Sequence, residues 1–296
     1  MEQPLVTIIT PAYNCAKFIK ETVDSVLRQD YRNIQYVIID DGSKDDTFAI
    51  LTKNYPDKRL TILRQENQGE QKTVNKGLSL VQGKYFIVVN ADDPLLPRAI
   101  STLAWFMDNH KDVLCAYPDW NMIDENSKFK MHVQTREYDF GWMVRHHTCI
   151  PSVGSMFRSS VIQSVGFRDA SYRWLGDSDY WLRVGLHGDM CHVPQTLATW
   201  RSRSGQASGE KSDLRAKEHL RVMDVVFRGN VPNELRDSEK EAFCWANLVA
   251  AYVAESKGMF AGCLWDAFTH YPQIAVSGHS WGTLAQRAKF VLSRSS

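Results

Sequence analysis

The sequence predicts an α/β fold with a mostly parallel central sheet flanked by helices, followed by a helical C-terminal extension. In the first third of the chain, short β-rich runs alternate with segments of helical periodicity, which is typical of parallel sheets. Three of these runs end in short polar segments. Beyond residue 213 the strand signals largely stop, while helical periodicity continues. These observations indicate a ligand-binding sheet that is followed by helices.

The individual elements follow from local patterns, since β-branched runs predict strands and apolar residues three and four positions apart predict helices. The expected strands cover residues 5–10, 35–39, 59–64, 85–89 and 113–117. The helices expected in the same region and just beyond it cover residues 16–29, 45–54, 70–81, 98–110, 158–165 and 177–187. Further helices are expected over residues 213–229, 234–257, 259–270 and 280–293.

Two segments lack a regular pattern. Residues 118–150 are polar, aromatic and poorly periodic, and long irregular segments are often functional. Residues 203–213 are polar and rich in Ser and Gly, which predicts a mobile loop. The change of pattern near residue 210 predicts two domains, an α/β domain over residues 1–210 and a helical extension over residues 211–296.

Composition narrows the class of protein. The chain has 296 residues and a net charge of +1, which gives no electrostatic basis for nucleic-acid binding. Its six cysteines form no C-x-x-C pair, and the N-terminus carries no signal-peptide pattern, so we expect reduced thiols and a cytoplasmic protein. No apolar run reaches the roughly 18 to 20 residues that a membrane span needs.

The most informative segment is Asn90–Pro94 (NADDP), which follows the apolar run Tyr85–Val89. Burying adjacent carboxylates costs several kcal/mol unless a cation or strong hydrogen bonds compensate them. In an open parallel sheet, ligands bind outside the carboxyl ends of the strands. The segment therefore indicates a divalent metal with a phosphorylated ligand. The alternative is a plain turn or helix cap, because Asp-Pro favours turns.

Two other strand ends carry compatible chemistry. The first predicted strand runs into Pro11–Asn14, and the second ends in Asp40–Ser43. Parallel strands end at one edge, so these segments and Asn90–Asp93 can build a single cleft. A Tyr ring for stacking beside an Asp that accepts an N–H suits a nucleobase. The G-x-G-x-x-G fingerprint of dehydrogenases is absent after the first strand.

With these residues in place, the chain resembles glycosyltransferase family 2, whose members have the GT-A fold and use nucleotide-sugar donors. The resemblance covers roughly residues 4–205. It rests on five segments in the family's order, namely VTIITPAYN at 6–14, IDDGS at 39–43, NQG at 67–69 with NKG at 75–77, NADD at 90–93, and GDSDYWLR at 176–183.

The resemblance implies roles for individual donor-site residues. It places the nucleoside base against Pro11, Tyr13 and Asp40. Asp92 matches the metal-binding carboxylate of the family's D-x-D motif, with Asp93 as its supporting or sugar-contacting partner. The implied cofactor is a divalent metal, Mn²⁺ or Mg²⁺.

The chain departs from the family pattern at two positions. Asn90 and Ala91 open the D-x-D segment, where the first position is often Asp; an amide can still hydrogen-bond a ribose hydroxyl. Arg203 stands where His is common, and Arg can clamp a phosphate bidentately although it cannot bind a metal. The alternative for Arg203 is an exposed basic loop. Lys72 or Lys76 either approaches the phosphates or is a solvated helix lysine.

The resemblance makes Asp177 the catalytic base, with Asp179 as the second candidate. Asp177 opens a predicted helix, where the helix dipole favours an ionised carboxylate, so a role as a simple N-cap is the alternative. Residues two apart do not share a helix face, so only one of the two carboxylates can point at the acceptor. Trp181 fits core packing, and Arg183 fits a structural ion pair.

The resulting hypothesis is an inverting, metal-dependent glycosyltransferase that builds a surface polysaccharide, lipopolysaccharide or similar glycan. The expected donor is a nucleoside-diphosphate sugar, with UDP as the preferred nucleotide. The expected acceptor is a glycan or a lipid-linked sugar. The alternatives are a non-catalytic nucleotide-sugar-binding protein and a nucleotidyltransferase. A nucleotidyltransferase is expected to have a Gly-rich basic loop after the first strand, and the segment Pro11–Asn14 is not such a loop.

Two further regions bear on the acceptor. In related enzymes, residues 118–157 face the acceptor, and here they carry Trp120, Trp142, His146 and His147. We expect acceptor-site or surface histidines there and no metal site. The modest basic amphipathic pattern of residues 281–294 fits core packing, an oligomer contact or peripheral contact with a membrane.

Overall fold

A computed structural model describes residues 3–206, 209–229 and 231–275. Two compact units divide the chain. The sheet unit contains the described residues up to Tyr138, together with Ile150–Ala170 and His187–Arg201. The helical unit contains Asp139–Cys149, Ser171–Leu186 and the described residues from 202 onward. The predicted boundary at residue 210 stays a prediction, and two segments that precede it group with the helices that follow it.

Eight strands form one sheet in the order β3-β2-β1-β4-β7-β5-β6, with β8 paired to β5. The pairs β1–β2, β1–β4, β2–β3 and β5–β8 are parallel, and β4–β7, β5–β6 and β5–β7 are antiparallel. The strands are β1 (Val6–Ala12), β2 (Ile34–Asp40), β3 (Leu60–Arg64), β4 (Tyr85–Val88), β5 (Cys115–Ile123), β6 (Phe129–Val133), β7 (Met156–Arg158) and β8 (Met190–Arg201).

The helices up to residue 185 are α1 (Ile19–Leu27), α2 (Thr47–Asn54), α3 (Glu70–Leu78), α4 (Ala99–Asn109), α5 (Phe140–Arg145), α6 (Val161–Ser164) and α7 (Gly176–Gly185). The later ones are α8 (Asp213–Arg228), α9 (Asn233–Arg236), α10 (Glu239–Val253), α11 (Lys257–His270) and α12 (Pro272–Ala275). No helix in the described part of the chain is long and apolar enough to cross a membrane.

The sheet unit confirms the predicted alternation of strands and helices as far as α4. β1 and β2 are buried almost along their whole length, as expected for parallel strands covered on both faces. Close packing of α3 on β1 explains a glycine of the NKG segment. A Cβ on Gly77 would lie 2.3 Å from Cγ2 of Ile9, so only glycine fits without a shift.

The structure differs from the predictions for the middle of the chain in three places. The irregular segment 118–150 contains the end of β5, then β6 and α5. The helix expected over 158–165 is preceded by β7 and shortens to α6. β8 was not predicted, because Pro194 interrupts its pattern. The register against β5 shifts beside this proline, so a bulge accommodates it.

The helical unit is built mainly from α8, α10 and α11. Small residues form one of its apolar clusters and let the helices approach closely: Ala216, Ala250, Ala251 and Cys263. The helices predicted over 213–229, 234–257 and 259–270 are confirmed, with the second divided into α9 and α10. The helix predicted over 280–293 lies outside the described residues, as do residues 207 and 208 of the predicted mobile loop.

Candidate functional site

The carboxyl ends of β1, β2 and β4 lie at one edge of the sheet, as predicted, because these three strands are parallel neighbours. Hydrogen bonds tie the first two strand ends together. The backbone N–H of Asn14 donates to Ser43 Oγ (3.0 Å), and the N–H of Lys44 donates to Asn14 Oδ1 (2.8 Å). The edge is therefore a joined surface rather than a set of separate loops.

Asp40 ends β2 as a fully buried carboxylate at this edge. Its Oδ2 lies 3.3 Å from Arg64 Nε and accepts the backbone N–H of Ser43 at 3.3 Å. Its Oδ1 is buried and has no hydrogen-bond partner among the described residues. A buried acceptor without a donor costs free energy, so this oxygen is suited to an N–H from a ligand. Tyr13 is 45% exposed at the same edge, beyond Pro11 in β1.

Asp41 organises the neighbouring loop. Its carboxylate accepts the backbone N–H groups of Gln68 and Gly69, both at 2.9 Å. Gly42 has φ of +74°, and a Cβ there would lie 2.8 Å from the backbone nitrogen of Asn67. The IDDGS and NQG segments thus contact each other, and Asp41 shapes the entry to α3.

Lys72 is exposed on the first turn of α3. The neighbouring Asn75 has a structural role, since its amide exchanges two hydrogen bonds with the backbone of Arg168 at 2.8 and 2.9 Å. The Arg168 guanidinium also reaches Gln71 Oε1 at 3.3 Å. The structure places Lys72 on the same unit as Asp40, and its approach to a phosphate stays a prediction.

The segment Asn90–Asp93 holds two buried carboxylates, with Ala91 buried between the polar residues. Asp93 accepts the Asn90 amide at 3.0 Å and the backbone N–H of Arg201 at 2.7 Å. Burial and the adjacent charge of Asp92 raise the pKa of Asp93 well above its ordinary value, although these two hydrogen bonds oppose the shift. Asp92 is 9% exposed. Two adjacent buried carboxyl groups repel each other when both are ionised, and a bound cation would relieve that repulsion.

Arg201 is a buried residue of this site that the sequence did not reveal, with 0% of its surface exposed. Its Nε donates to the carbonyl of Asp92 at 2.8 Å, and Nη2 lies 2.7 Å from Glu21 Oε2. Nη1 donates to the carbonyl of Asp124 (3.1 Å) and to Ser127 Oγ (2.9 Å). Arg201 thus fastens the carboxylate segment to α1 and to the β5–β6 turn. The only signal for it was its place beside Trp200 in the segment that carries Arg203.

The two candidate bases lie on α7 in the helical unit. Asp179 is buried and its Oδ2 lies 2.8 Å from Arg183 Nε, so the predicted ion pair is present. Asp177 is half-buried, and its Oδ1 accepts the N–H of Ser178 at 2.7 Å. The N-cap position belongs to Leu175, so Asp177 is not the cap residue. Asp179 is thus paired with the partly buried Arg183, whereas Asp177 forms no ion pair among the described residues.

Arg203 and the two histidines also belong to the helical unit. Arg203 is half-buried, and its backbone N–H donates to Gln206 Oε1 at 3.1 Å. His146 stacks on Trp142 with 4.6 Å between ring centroids, and His147 Nε2 lies 2.8 Å from His219 Nδ1. Both histidines are half-buried and contact ring side chains of the helical unit, and their role at an acceptor site or at the surface stays a prediction.

The chemistry of the donor set fits a metal that arrives with a phosphorylated ligand. Among the described residues, no group of three or more His, Cys, Asp or Glu side chains could hold a metal ion by itself. Mg²⁺ in phosphate-binding sites is typically held by one or two carboxylates plus substrate phosphates. Asp92, with the carboxyl group of Asp93 beside it, supplies such a partial site.

Comparison with known proteins places the chain in a family. The model of the family described as "Glycosyl transferase family 2" matches residues 7–165. An uncharacterized glycosyltransferase of Rickettsia prowazekii is 32% identical over 188 residues, which cover 61% of this chain and 58% of the relative. The chain thus spans less than two thirds of the length of that relative.

Two further proteins are similar over more of their length. An Escherichia coli UDP-Glc:α-D-GlcNAc-diphosphoundecaprenol β-1,3-glucosyltransferase, WfaP, is 27% identical over 225 residues, covering 75% of this chain and 85% of the relative. A mannosyltransferase from Pyrobaculum calidifontis, solved with GDP-Man and Mn²⁺, has a TM-score of 0.62 and 18% identity, covering 98% of this chain and 81% of that one. This structural likeness supports the predicted fold class, and the match over residues 7–165 shows that the chain belongs to glycosyltransferase family 2.

Proposed function

We propose that the chain is an inverting, metal-dependent glycosyltransferase that moves a sugar from a UDP-linked donor to a glycan or lipid-linked acceptor. The observation that carries the proposal is the sheet edge, where a buried carboxylate oxygen without a donor lies on the same unit as two adjacent carboxylates. The oxygen without a donor suits a nucleobase N–H, and the adjacent carboxylates suit a divalent metal bound to a diphosphate.

The nucleobase is the part of the donor that Asp40 would recognise. A uracil ring presents one N–H between two carbonyl groups, and the buried Oδ1 of Asp40 is an acceptor for that N–H. The exposed ring of Tyr13 offers a stacking surface, and Pro11 lies in the same strand. The UDP-Glc named for the E. coli relative supports this choice, whereas the GDP-Man of the P. calidifontis enzyme makes GDP the competing test case.

The diphosphate is assigned to Asp92 through a divalent metal, Mn²⁺ or Mg²⁺. When bound, such an ion supplies Lewis-acid stabilisation of the leaving nucleoside diphosphate. Asp93 and Arg201 hold the carboxylate segment in place, Asn90 and Ala91 complete its turn, and Lys72 and Arg203 are proposed as phosphate contacts. The Mn²⁺ of the P. calidifontis enzyme supports the metal.

Asp177 is the proposed general base. An acceptor hydroxyl, with a pKa of ~15 like water, is a poor nucleophile until a carboxylate takes its proton during attack. Attack at the anomeric carbon then breaks its bond to the diphosphate oxygen. A single displacement inverts the anomeric configuration. Asp179 is the weaker candidate, because it is committed to Arg183.

The acceptor is proposed by class only. The E. coli relative acts on a sugar carried by a diphospholipid, which supports a glycan or lipid-linked acceptor and a role in polysaccharide assembly. Cytoplasmic location with peripheral contact at the membrane remains part of this proposal, because lipid-linked acceptors lie at the membrane surface.

A non-catalytic nucleotide-sugar-binding protein is the second candidate. One observation favours it: the Asn90 amide donates within its own segment, to Asp93, so the first D-x-D position is used internally. A pure binder would still bind a nucleotide at Asp40, but it would show no dependence of turnover on Asp177.

The proposal is tested by thermal shift with UDP, GDP, dTDP and CDP, each with and without Mn²⁺ or Mg²⁺. A ligand at 100 times its Kd stabilises a fold by about 2.7 kcal/mol, which is easily detected. We expect UDP with metal to stabilise the wild-type chain. In Asp92→Ala, the metal should no longer increase the thermal shift, and most of the shift should be lost. Asp40→Asn should weaken UDP binding. A chain that responds to no nucleotide would contradict the proposal.

A further inference from the structure

A buried carboxylate lies against the turn that leads into α7, outside residues 7–165, which match the family model. Glu218, on α8, is 4% exposed. Its Oε1 accepts the backbone N–H of Arg173 at 2.6 Å, and its Oε2 accepts the N–H groups of Trp174 and Leu175 at 2.9 and 3.1 Å. One side chain therefore binds three consecutive amides immediately before the first residue of α7.

Such an arrangement fixes the direction in which a helix starts. Arg173 and Trp174 precede the N-cap residue Leu175, whose apolar side chain makes no capping hydrogen bond, so Glu218 fixes the backbone that leads into the first turn. A buried carboxylate is itself costly unless hydrogen bonds compensate it, so the carboxylate and the three amides hold each other in place.

A second contact on α8 strengthens the attachment. The Arg221 guanidinium lies 4.3 Å from the ring of the buried Tyr172, so the residue before the amide turn also packs on α8. By contrast, Glu210 contacts the same turn through exposed side chains, with 3.4 Å to the Arg173 guanidinium and 3.2 Å to the Trp174 indole nitrogen.

We infer that Glu218 is a positioning residue for Asp177, acting through the amides of residues 173–175 to set the first turn of α7. This inference rests on the proposed role of Asp177 as base. Asp177 is the second residue of α7, so a rotation or fraying of the first turn moves its carboxylate directly. A displacement of about 1 Å in a reacting group can reduce turnover by about 100-fold.

The test uses Glu218→Gln in the full chain, because glutamine keeps the side-chain size but turns an N–H₂ toward backbone donors. Hydrogen exchange measured by mass spectrometry should accelerate about tenfold or more at residues 173–178, since hydrogen bonds to a charged group are lost. Glu210→Gln is the matched control and should leave exchange there unchanged. Unchanged exchange in Glu218→Gln would overturn the inference, whatever the activity.

Turnover is measured as release of UDP from UDP-glucose with Mn²⁺, with water as the acceptor. Glu218→Gln should lower kcat by about 10- to 100-fold and leave the donor KM within about twofold, because the proposed donor contacts other than Arg203 are on the sheet unit. Full kcat in Glu218→Gln, with kcat lost in Asp177→Asn, would overturn the inference alone.

A double variant separates positioning from general destabilisation. If Glu218 acts through Asp177, the double variant Glu218→Gln/Asp177→Asn should turn over no more slowly than Asp177→Asn alone. Additive losses would overturn the inference. Full turnover in Asp177→Asn, or no UDP release by the wild-type chain, would instead contradict the proposed function, and the exchange measurement would still decide whether Glu218 orders the turn.

Discussion

The acidic pair Asp92 and Asp93 is built like the acidic pair Asp177 and Asp179, but the two pairs are anchored differently. In each pair one carboxylate is buried and bound to an arginine, Asp93 to the backbone of Arg201 and Asp179 to the guanidinium of Arg183. The anchor of Asp93 comes from 108 residues along the chain, whereas that of Asp179 is four residues away on the same helix. The difference teaches that the first segment depends on the assembled sheet unit, and the second on the correct start of one helix.

The largest expected effect is a loss of turnover on substitution of Asp177, the residue of the two pairs that is proposed to take a proton. Asp177→Asn should lower turnover by about 10²- to 10⁴-fold, because an amide cannot take a proton from the acceptor. Nucleotide binding should persist, as measured by thermal shift with UDP. Asp179→Asn is the matched control and should reduce stability more than turnover. The reverse pattern would exchange the roles of the two residues.

The long-range anchor should matter most for stability. Arg201→Met leaves two backbone carbonyls and Glu21 without their buried donor. Breaking a buried ion pair costs about 3–5 kcal/mol, and we expect the lower end, about 3 kcal/mol, because Glu21 is partly exposed. Urea unfolding followed by circular dichroism measures the change.

The control for this change is Arg28→Met, since Arg28 is exposed and pairs with Asp24 on one helix turn. Its unfolding free energy should change by less than about 0.5 kcal/mol. Equal unfolding midpoints for the two variants would remove the argument that Arg201 anchors the site.

The local anchor should cost less. Arg183→Met removes the charged hydrogen bond from Arg183 Nε to the buried Asp179, for which we expect about 2 kcal/mol in the same urea experiment. A loss as large as that of Arg201→Met would contradict the contrast between long-range and local anchoring.

Asp119 is a third anchored carboxylate. Its contact with His192 should make the stability of the chain depend on pH, and this is the smallest effect expected. The ring nitrogens of the buried His192 lie 2.8 Å from both Asp119 and Glu137. Burial lowers the pKa of His192, but the bonds to Glu137 and Asp119 outweigh it and raise the pKa above its ordinary value. The stabilisation is therefore complete below about pH 6.5 and is lost as the pH rises through the raised pKa.

Urea unfolding at pH values on either side of the raised pKa measures this dependence. The wild-type chain should lose stability as the pH increases, and His192→Gln should lose less over the same interval. Equal pH dependence in the two chains would show that His192 is not the titrating anchor.

Sequence patterns predicted the sheet edge because its signals are local. An apolar run followed by polar residues marks a strand end, and parallel pairing then brings such ends together, as it does for Asp40 and Asn90. The roles of these residues rested on resemblance, and no pattern indicated which oxygen of Asp40 lacks a donor.

The missed features depend on contacts between distant segments. Arg201 lies in a strand whose pattern is broken by Pro194, and its partners come from α1, the carboxylate segment and the β5–β6 turn. The end of β5 looked irregular because Asp119 is a polar residue inside a strand, buried there only because His192 and Thr135 bond it. Pairings of this kind have no periodicity along the chain.

The position of Glu218 has a consequence for synthesis of the chain. It follows Arg173, Trp174 and Leu175 by 45, 44 and 43 residues. At about 5–20 residues per second, a ribosome adds this stretch in about 2–9 s, during which the three amides have no carboxylate to bind. The first turn of α7 is therefore completed only after α8 has emerged, later than the synthesis of β1 to β8.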